Sequence, residues 1–286
     1  KYLAATSIAT SVMTMIVWSF GFLRMGTVGI VAQAYGRSDY REIVKTILRN
    51  IALALIAAFI IIIFFPAIKI AISYFFSPSD ETEVLIKTYL NVRIFSIPAE
   101  LIIYVLVGFY LGIQKTKISS FLIIVLSSLN IIFSSLLVLT YNLNVFGVAL
   151  GTLISSYITL IIFTLFTYNY IIQKFKVIPK FENLVIRSKL LKLFNINLDI
   201  FIRTLFVTFA FLWVTYLGSK IGEDYLAVNT ILMQFIILSS FFLDAYAFST
   251  EGIIGFAVGR RNQKSFLDAV KNSIQVSFVT AIIISI

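Results

Sequence analysis

The chain returns again and again to apolar runs too long for the core of a soluble domain, and this pattern fixes most of what it can become. The runs are roughly Ala4–Tyr35, Thr46–Phe75, Val84–Gln114, Ile118–Tyr141, Val145–Ile172, Leu193–Leu217 and Tyr225–Gly259, with an eighth from about Phe266. About 20 apolar residues in a helix cross a bilayer. Helices suit that setting because they satisfy their own backbone hydrogen bonds where no water is present. Hydrophobic residues make up 60% of the chain and charged ones 13%, the ratio of a polytopic helical membrane protein. The predicted fold class is therefore all-α and multi-pass. Several runs are nearer 30 than 20 residues, and at about 1.5 Å per residue they must tilt, kink or protrude beyond a core of about 30 Å. Pro66 predicts a kink in the second run.

The polar segments between the runs alternate in charge. Gly36–Lys45, Lys115–Lys117, Gln173–Lys192 and Arg260–Lys264 are basic, whereas Ser77–Glu83, Tyr141–Asn144 and Gly218–Asp224 are acidic or neutral. Cytoplasmic loops are enriched in Lys and Arg, so the first set faces the cytoplasm, and one orientation satisfies every loop. The net charge of +10 thus reflects loop placement, and nucleic acid is not an expected partner. Interleaved apolar residues in Gln173–Lys192 predict that part of this connector lies at the membrane surface as an amphipathic helix. The chain holds no Cys and no His, which removes thiol and imidazole catalysis and Cys/His metal sites. No phosphate loop or nucleotide fingerprint is present, so the chain does not read as an enzyme.

An internal repeat links the first and seventh runs. With Gly29 laid on Gly252, Thr27 meets Thr250, Ile30 meets Ile253, Ala34 meets Ala257, Gly36 meets Gly259 and Arg37 meets Arg260. Val28 falls where the later copy has Glu251, and Gly21 where it has Asp244. The shared frame is a glycine-spaced helix end with a basic stop, and the acids belong to the second copy alone. Such repeats mark transporters built from two related halves. The chain begins on Lys1 and closes inside an apolar run, from which a segment of a longer protein is expected.

Charges inside a span cost a few kcal/mol, about 2.5–3.5 on insertion scales, so each calls for a partner or a task. The spans carry Arg24, Arg93, Glu100, Asp199, Arg203, Asp244 and Glu251. Asn195, Asp199 and Arg203 recur every four residues and form one column, while Asp244 and Glu251 share a face of the next span. Counted from the cytoplasmic ends, Arg203 lies in depth between Glu251 and Asp244, and the expectation is that Asp199, Glu251 and Asp244 share it. That network is either glue between two helices or a coupling device; both readings stand. Arg93 and Glu100, seven apart beside Pro98, are placed to pair locally. Ser127, Asn130 and Ser134 face one way on the fourth span and either line a cavity or pack against a neighbour.

These residues carry a family resemblance. GFLRMGTVGIVAQAYG (Gly21–Gly36) resembles the second helix of multidrug and toxic compound extrusion (MATE) transporters, in their DinF-like branch. RIFSIPAELIIYVLVGFYLGIQ (Arg93–Gln114) resembles the fourth helix, NINLDIFIRTL (Asn195–Leu205) the start of the seventh, and FFLDAYAFSTEGIIGFAVG (Phe241–Gly259) the eighth. The resemblance implies two six-helix lobes about a pseudo-two-fold axis, with this chain as about helices two to nine. In those terms residues 1–175 are the N-lobe without its first helix, 176–192 the cytoplasmic connector and 193–286 part of the C-lobe.

The family's N-lobe cation site uses an Asp on the first helix, then an Asn and an Asp on the fifth and a Thr on the sixth. Asn130 and Thr152 match that Asn and Thr; Ser134 stands at the second Asp, and Ile103 at a fourth-helix Asn position. Glu100 is unusual at its place and is a candidate substitute acid. Asp199, Arg203, Asp244 and Glu251 fit the branch pattern. The resemblance implies a secondary antiporter, exporting amphipathic or cationic organic compounds in exchange for protons or sodium by alternating access. The only cofactor implied is that coupling ion, no bound metal is expected, and the expected partners are membrane lipid and a small organic substrate. A monomer in the bacterial cytoplasmic membrane is expected. Two alternatives stay open: a flippase for lipid-linked saccharides, and a degenerate, non-transporting remnant.

Overall fold

The computed structural model describes residues 2–76, 79–179, 187–221 and 223–285. Its helices are α1 (Tyr2–Ser19), α2 (Phe22–Gly36), α3 (Tyr40–Phe76), α4 (Asp80–Arg93), α5 (Ile97–Gly112), α6 (Thr116–Ser135), α7 (Asn144–Tyr170), α8 (Arg187–Ile221), α9 (Glu223–Gly259) and α10 (Gln263–Ser285). No strand occurs among the described residues. Seven stretches among them, from Ala5–Gly36 to Gln263–Ile284, are long and apolar enough to cross a membrane.

Two apolar runs that read as single spans are each broken. The first tightens at Phe20 and Gly21, where Gly21 N–H bonds Trp18 O at 2.9 Å and Leu23 N–H bonds Phe20 O at 3.0 Å. The third passes through a 3₁₀ turn at Ile94–Ser96, and Pro98 sits in the first turn of α5, where a missing N–H costs little. Apolar periodicity continues through both breaks and hides them. By contrast α3 runs on through Pro66 without interruption.

The helix boundaries also correct three loops. Of the acidic segment Ser77–Glu83, residues 77 and 78 lie outside the described part, and Asp80, Glu81 and Glu83 form the first turn of α4. Negative charge is stabilising at that end of a helix. The turn expected at Gly218–Asp224 is narrower, since α8 reaches Ile221 and α9 begins at Glu223. In the basic connector, residues 180–186 lie outside the described part, and from Arg187 the chain already belongs to α8. That helical portion therefore continues the sixth span and is not a separate surface helix.

Helices α1 to α7 enclose one continuous apolar core that includes Ala5, Leu23, Leu90, Phe109, Leu122 and Phe163. The outer face of α3 exposes Ile56, Phe59, Ile60, Ile63 and Phe64, a strip at helical spacing. In a bilayer such a strip meets lipid tails as apolar as itself. At the end bearing the basic loops, Tyr35, Tyr40 and Phe175 cluster, with Tyr40 stacked on Phe175 at 4.7 Å between centroids. Phe256 of α9 joins them at 5.5 Å from Tyr35.

The internal repeat is reproduced hydrogen bond by hydrogen bond. At the end of α2, Arg37, Ser38 and Asp39 N–H groups bond Gln33, Tyr35 and Ala34 carbonyls at 3.2, 3.0 and 2.9 Å. At the end of α9, Arg260, Arg261 and Asn262 bond Phe256, Val258 and Ala257, each at 3.0 Å. These are equivalent residues in the Gly29-on-Gly252 register. Asp39 and Asn262 then cap the next helix, accepting from Glu42 and Ser265 N–H at 3.1 and 3.0 Å. The left-handed position falls on Ser38 (φ 58°) and on Arg261 (φ 54°), so the glycines serve another purpose.

That purpose is close approach. A Cβ at Gly36 would run into Phe256 O, and one at Gly259 into Gln33 O. Because Gly36 is the equivalent of Gly259 and Gln33 of Phe256, this is one contact seen from both sides of a local two-fold axis. Gly255 likewise rests on Ala32, its own counterpart. Helices α2 and α9 thus cross in parallel and in register, backbone against backbone.

Candidate functional site

Three polar places lie along this framework. The first is a cavity of about 360 Å³ enclosed by α4 to α7 together with Val17 of α1. Arg93, at the end of α4, reaches across the 3₁₀ turn to Glu100 on α5. Its Nη1 donates to Glu100 Oε1 and to Ser96 Oγ, and its Nη2 donates to Glu100 Oε2 at 3.0 Å. Both side chains are almost nine-tenths buried. Ser156 Oγ on α7 adds a long hydrogen bond of 3.4 Å to Glu100 Oε1. Across the cavity Asn130 Nδ2 donates to Thr152 Oγ1 at 2.8 Å, joining α6 to α7.

The cavity therefore brings together Glu100, Asn130 and Thr152 from the sequence-derived set, along with Arg93. Ser127 and Ile103 also line it. Ser134 does not; it packs against Gly151, with its hydroxyl buried and lacking a hydrogen-bond partner. The polar stripe of the fourth span thus divides, two residues facing the cavity and one the neighbouring helix.

The second place is the seam between α2 and α9. The Arg24 guanidinium lies 3.6 Å from the centroid of the Phe248 ring, a cation–π contact. Glu251 Oε2 is buried without a hydrogen-bond partner. The arrangement in which Asp199, Glu251 and Asp244 share Arg203 is not present: the ion pairs within 4 Å among the described residues are Arg49–Glu42, Lys87–Glu83 and Arg93–Glu100. The reason is rotational. Asn195, Asp199 and Arg203 do form a column, but that column is exposed. The side of α8 that packs inward carries Asn197, 4% exposed and against Gly26 of α2. Two residues along a helix are about half a turn. Asp244 is exposed as well.

The third place is a cleft of about 880 Å³ between α1, α8 and α9, on the side away from the basic loops. Thr6, Thr10, Thr14 and Trp18 line one wall, Thr204, Thr208 and Phe211 another. No Asp, Glu, Lys or Arg lines it among the described residues. Thr6 and Thr204 hydroxyls donate to Tyr2 and Ile200 carbonyls, each at 2.9 Å, and so offer their lone pairs outward as acceptors.

Two features escaped the sequence. The hydroxyl face of α1 reads as ordinary small-residue packing. The placement of Arg24 was accessible: helices related by a two-fold touch at equivalent positions, and the equivalent of Arg24 is Ala247, beside Phe248 and one turn from Glu251.

Comparison with known proteins agrees with this architecture. The MatE family model matches residues 1–136. DNA damage-inducible protein F of Escherichia coli (strain K12) is 30% identical over 286 residues, all of this chain and 62% of that protein. Protein DETOXIFICATION 43 of Arabidopsis thaliana is 25% identical over 199 residues, 69% of this chain and 36% of that protein. The chain thus spans less than two thirds of the curated relatives it matches. A solved structure described as MATE in the bent conformation superposes with a TM-score of 0.90 at 21% identity, over 99% of this chain and 63% of that one.

Proposed function

We propose that the chain is a MATE-family protein over the length it shares with these relatives, and that its full-length form is a secondary antiporter exporting small amphipathic or cationic organic compounds in exchange for protons or sodium. MATE-family members are transporters and not enzymes. The observation that carries the proposal is the asymmetry of the lobe junction. At the cytoplasmic end α2 and α9 meet backbone to backbone through Gly36 and Gly259. Toward the other face α1, α8 and α9 leave a cleft of about 880 Å³. This is the form expected of an outward-open state in a protein whose lobes rock against each other. Reversing the asymmetry would part the glycine crossing and close the cleft.

The division of labour follows from the chemistry. The cleft offers aromatic faces and hydroxyl acceptors, which suit an amphipathic donor or a delocalised cation. Asp199, Asp244 and Glu251 are the C-lobe carboxylates placed to take up a coupling ion, with Arg203 and Arg24 as the cations that act on Glu251. Neutralising a carboxylate lowers the cost of closing apolar surface around it, which would tie ion uptake to lobe movement. Localisation in the bacterial cytoplasmic membrane, with the basic loops inside, and a monomeric state complete the reading.

Among the described residues no basic side chain lines the cleft, which disfavours an anionic lipid-linked saccharide, and the Asn130–Thr152 and Glu100 cavity disfavours a non-transporting remnant. The test uses full-length protein. Asp199→Asn and Asp244→Asn variants are compared with wild type for dye efflux against an imposed ion gradient. Weakened coupling is expected in each, and unchanged coupled efflux removes that residue from the mechanism.

A further inference from the structure

The N-lobe cavity has the donor set of a cation site, yet it already contains a cation. Around it stand the Glu100 carboxylate, Ser156 and Ser127 hydroxyls and the Tyr104 phenol. Asn130 adds its Oδ1, since its Nδ2 is committed to Thr152. All are oxygen donors, the type that holds a hard cation. Among the described residues neither Lys nor another Arg lines the cavity, so the Arg93 guanidinium is the cation these groups face. It is held from outside by Ser96 and delivered onto both oxygens of Glu100. Ser156 takes up a further lone pair of Oε1.

We propose that Arg93 is a tethered cation that occupies the Glu100 carboxylate in place of sodium, so that Glu100 does not serve as a sodium ligand and Arg93 is the residue that decides so. A monovalent ion approaching Glu100 would find that carboxylate already neutralised. It would also sit beside a fixed positive charge, which repels it. Glu100 and Arg93 then act as a unit: the carboxylate supplies the ion-binding charge, and the arginine fills it permanently. Sodium coupling in the complete protein then does not run through Glu100. This inference rests on reading the chain as an ion-coupled transporter, but it is tested by binding and not by transport.

The experiment measures equilibrium binding of radiolabelled sodium to full-length protein in detergent, for wild type, Glu100→Gln, Arg93→Lys, Arg93→Gln and the double variant Arg93→Gln/Glu100→Gln. Wild type and E100Q are expected to bind sodium equally. Arg93→Gln gains a site at least about tenfold tighter than any wild-type binding lost on adding E100Q. Arg93→Lys, which keeps the charge, gains none. A fall in sodium binding on E100Q in the wild-type background overturns the proposal, as does an Arg93→Gln protein that binds no more sodium than Arg93→Lys. Should Arg93→Gln or E100Q fail to fold, the charge-free double variant takes its place: it is expected to bind no more sodium than wild type, and a fall below wild type overturns the proposal. A protein that shows the expected sodium pattern but no gradient-driven efflux leaves the inference standing and removes the antiporter reading.

Discussion

The charges of the two lobes are handled in opposite ways. In the N-lobe, Arg93 and Glu100 are almost nine-tenths buried and joined through both guanidinium arms. In the C-lobe, Asp199, Arg203 and Asp244 are exposed, and no ion pair within 4 Å joins them. The first arrangement is packed among α4, α5 and α7. The second belongs to α8 and α9, which in this chain have only α10 and the N-lobe beside them. A buried pair is a fixed structural element that is expensive to break. The contrast is between a pair whose partners both lie within this chain and charges whose surroundings it covers only in part.

The largest expected effect breaks the buried pair. In full-length protein Glu100→Gln leaves Arg93 buried without its counter-charge and should cost about 3–5 kcal/mol of stability. Asp199→Asn should shift it by no more than about 0.5 kcal/mol. Denaturant unfolding in detergent measures both, and equal losses would erase the distinction between the lobes. Next in size is the seam. Gly36→Val drives a side chain into Phe256 O and should cost about 1–3 kcal/mol, while Gly29→Ala, whose Cβ would meet nothing within 4 Å, should be close to neutral. Thermal unfolding of the two variants checks this. Smaller again, Thr152→Val removes the acceptor of Asn130 and should cost about 1 kcal/mol. The smallest is Arg24→Leu, which loses the contact over Phe248, worth about 0.5–1 kcal/mol at a partly exposed site. A loss as large as that of Glu100→Gln would show that Arg24 is bound to Glu251 as firmly as Arg93 is to Glu100.

Much of the frame was legible because it rests on patterns that survive without partners. Loop charge grouped the basic helix ends, and the cluster of Tyr35, Tyr40, Phe175 and Phe256 brings those ends together. The Gly29-on-Gly252 register located two helix ends whose hydrogen bonds match residue for residue. The spacing of Arg93 and Glu100 placed their pair correctly, since both sit on one local stretch. What failed was whatever depends on helix rotation. The column Asn195, Asp199, Arg203 is real as a column, but a sequence does not say which side of α8 packs against α2. Buried Asn197, two residues from Asp199, shows that the packing side is nearly opposite. The breaks at Gly21 and at Ile94–Ser96 were hidden for a different reason: the apolar run continues through them, and only the backbone changes. Gly36 was read as part of a helix stop and proved to be a crossing point, with Ser38 taking the left-handed position instead.

The measurement closest to the central claim is substrate efflux by full-length protein in proteoliposomes, with proton and sodium gradients imposed one at a time. The account predicts that efflux accelerates under an opposing cation gradient, stops when that gradient is collapsed, and loses its gradient dependence in Asp199→Asn or Asp244→Asn. Efflux that proceeds at the same rate with every gradient collapsed, or no efflux at all from correctly folded protein, would contradict it.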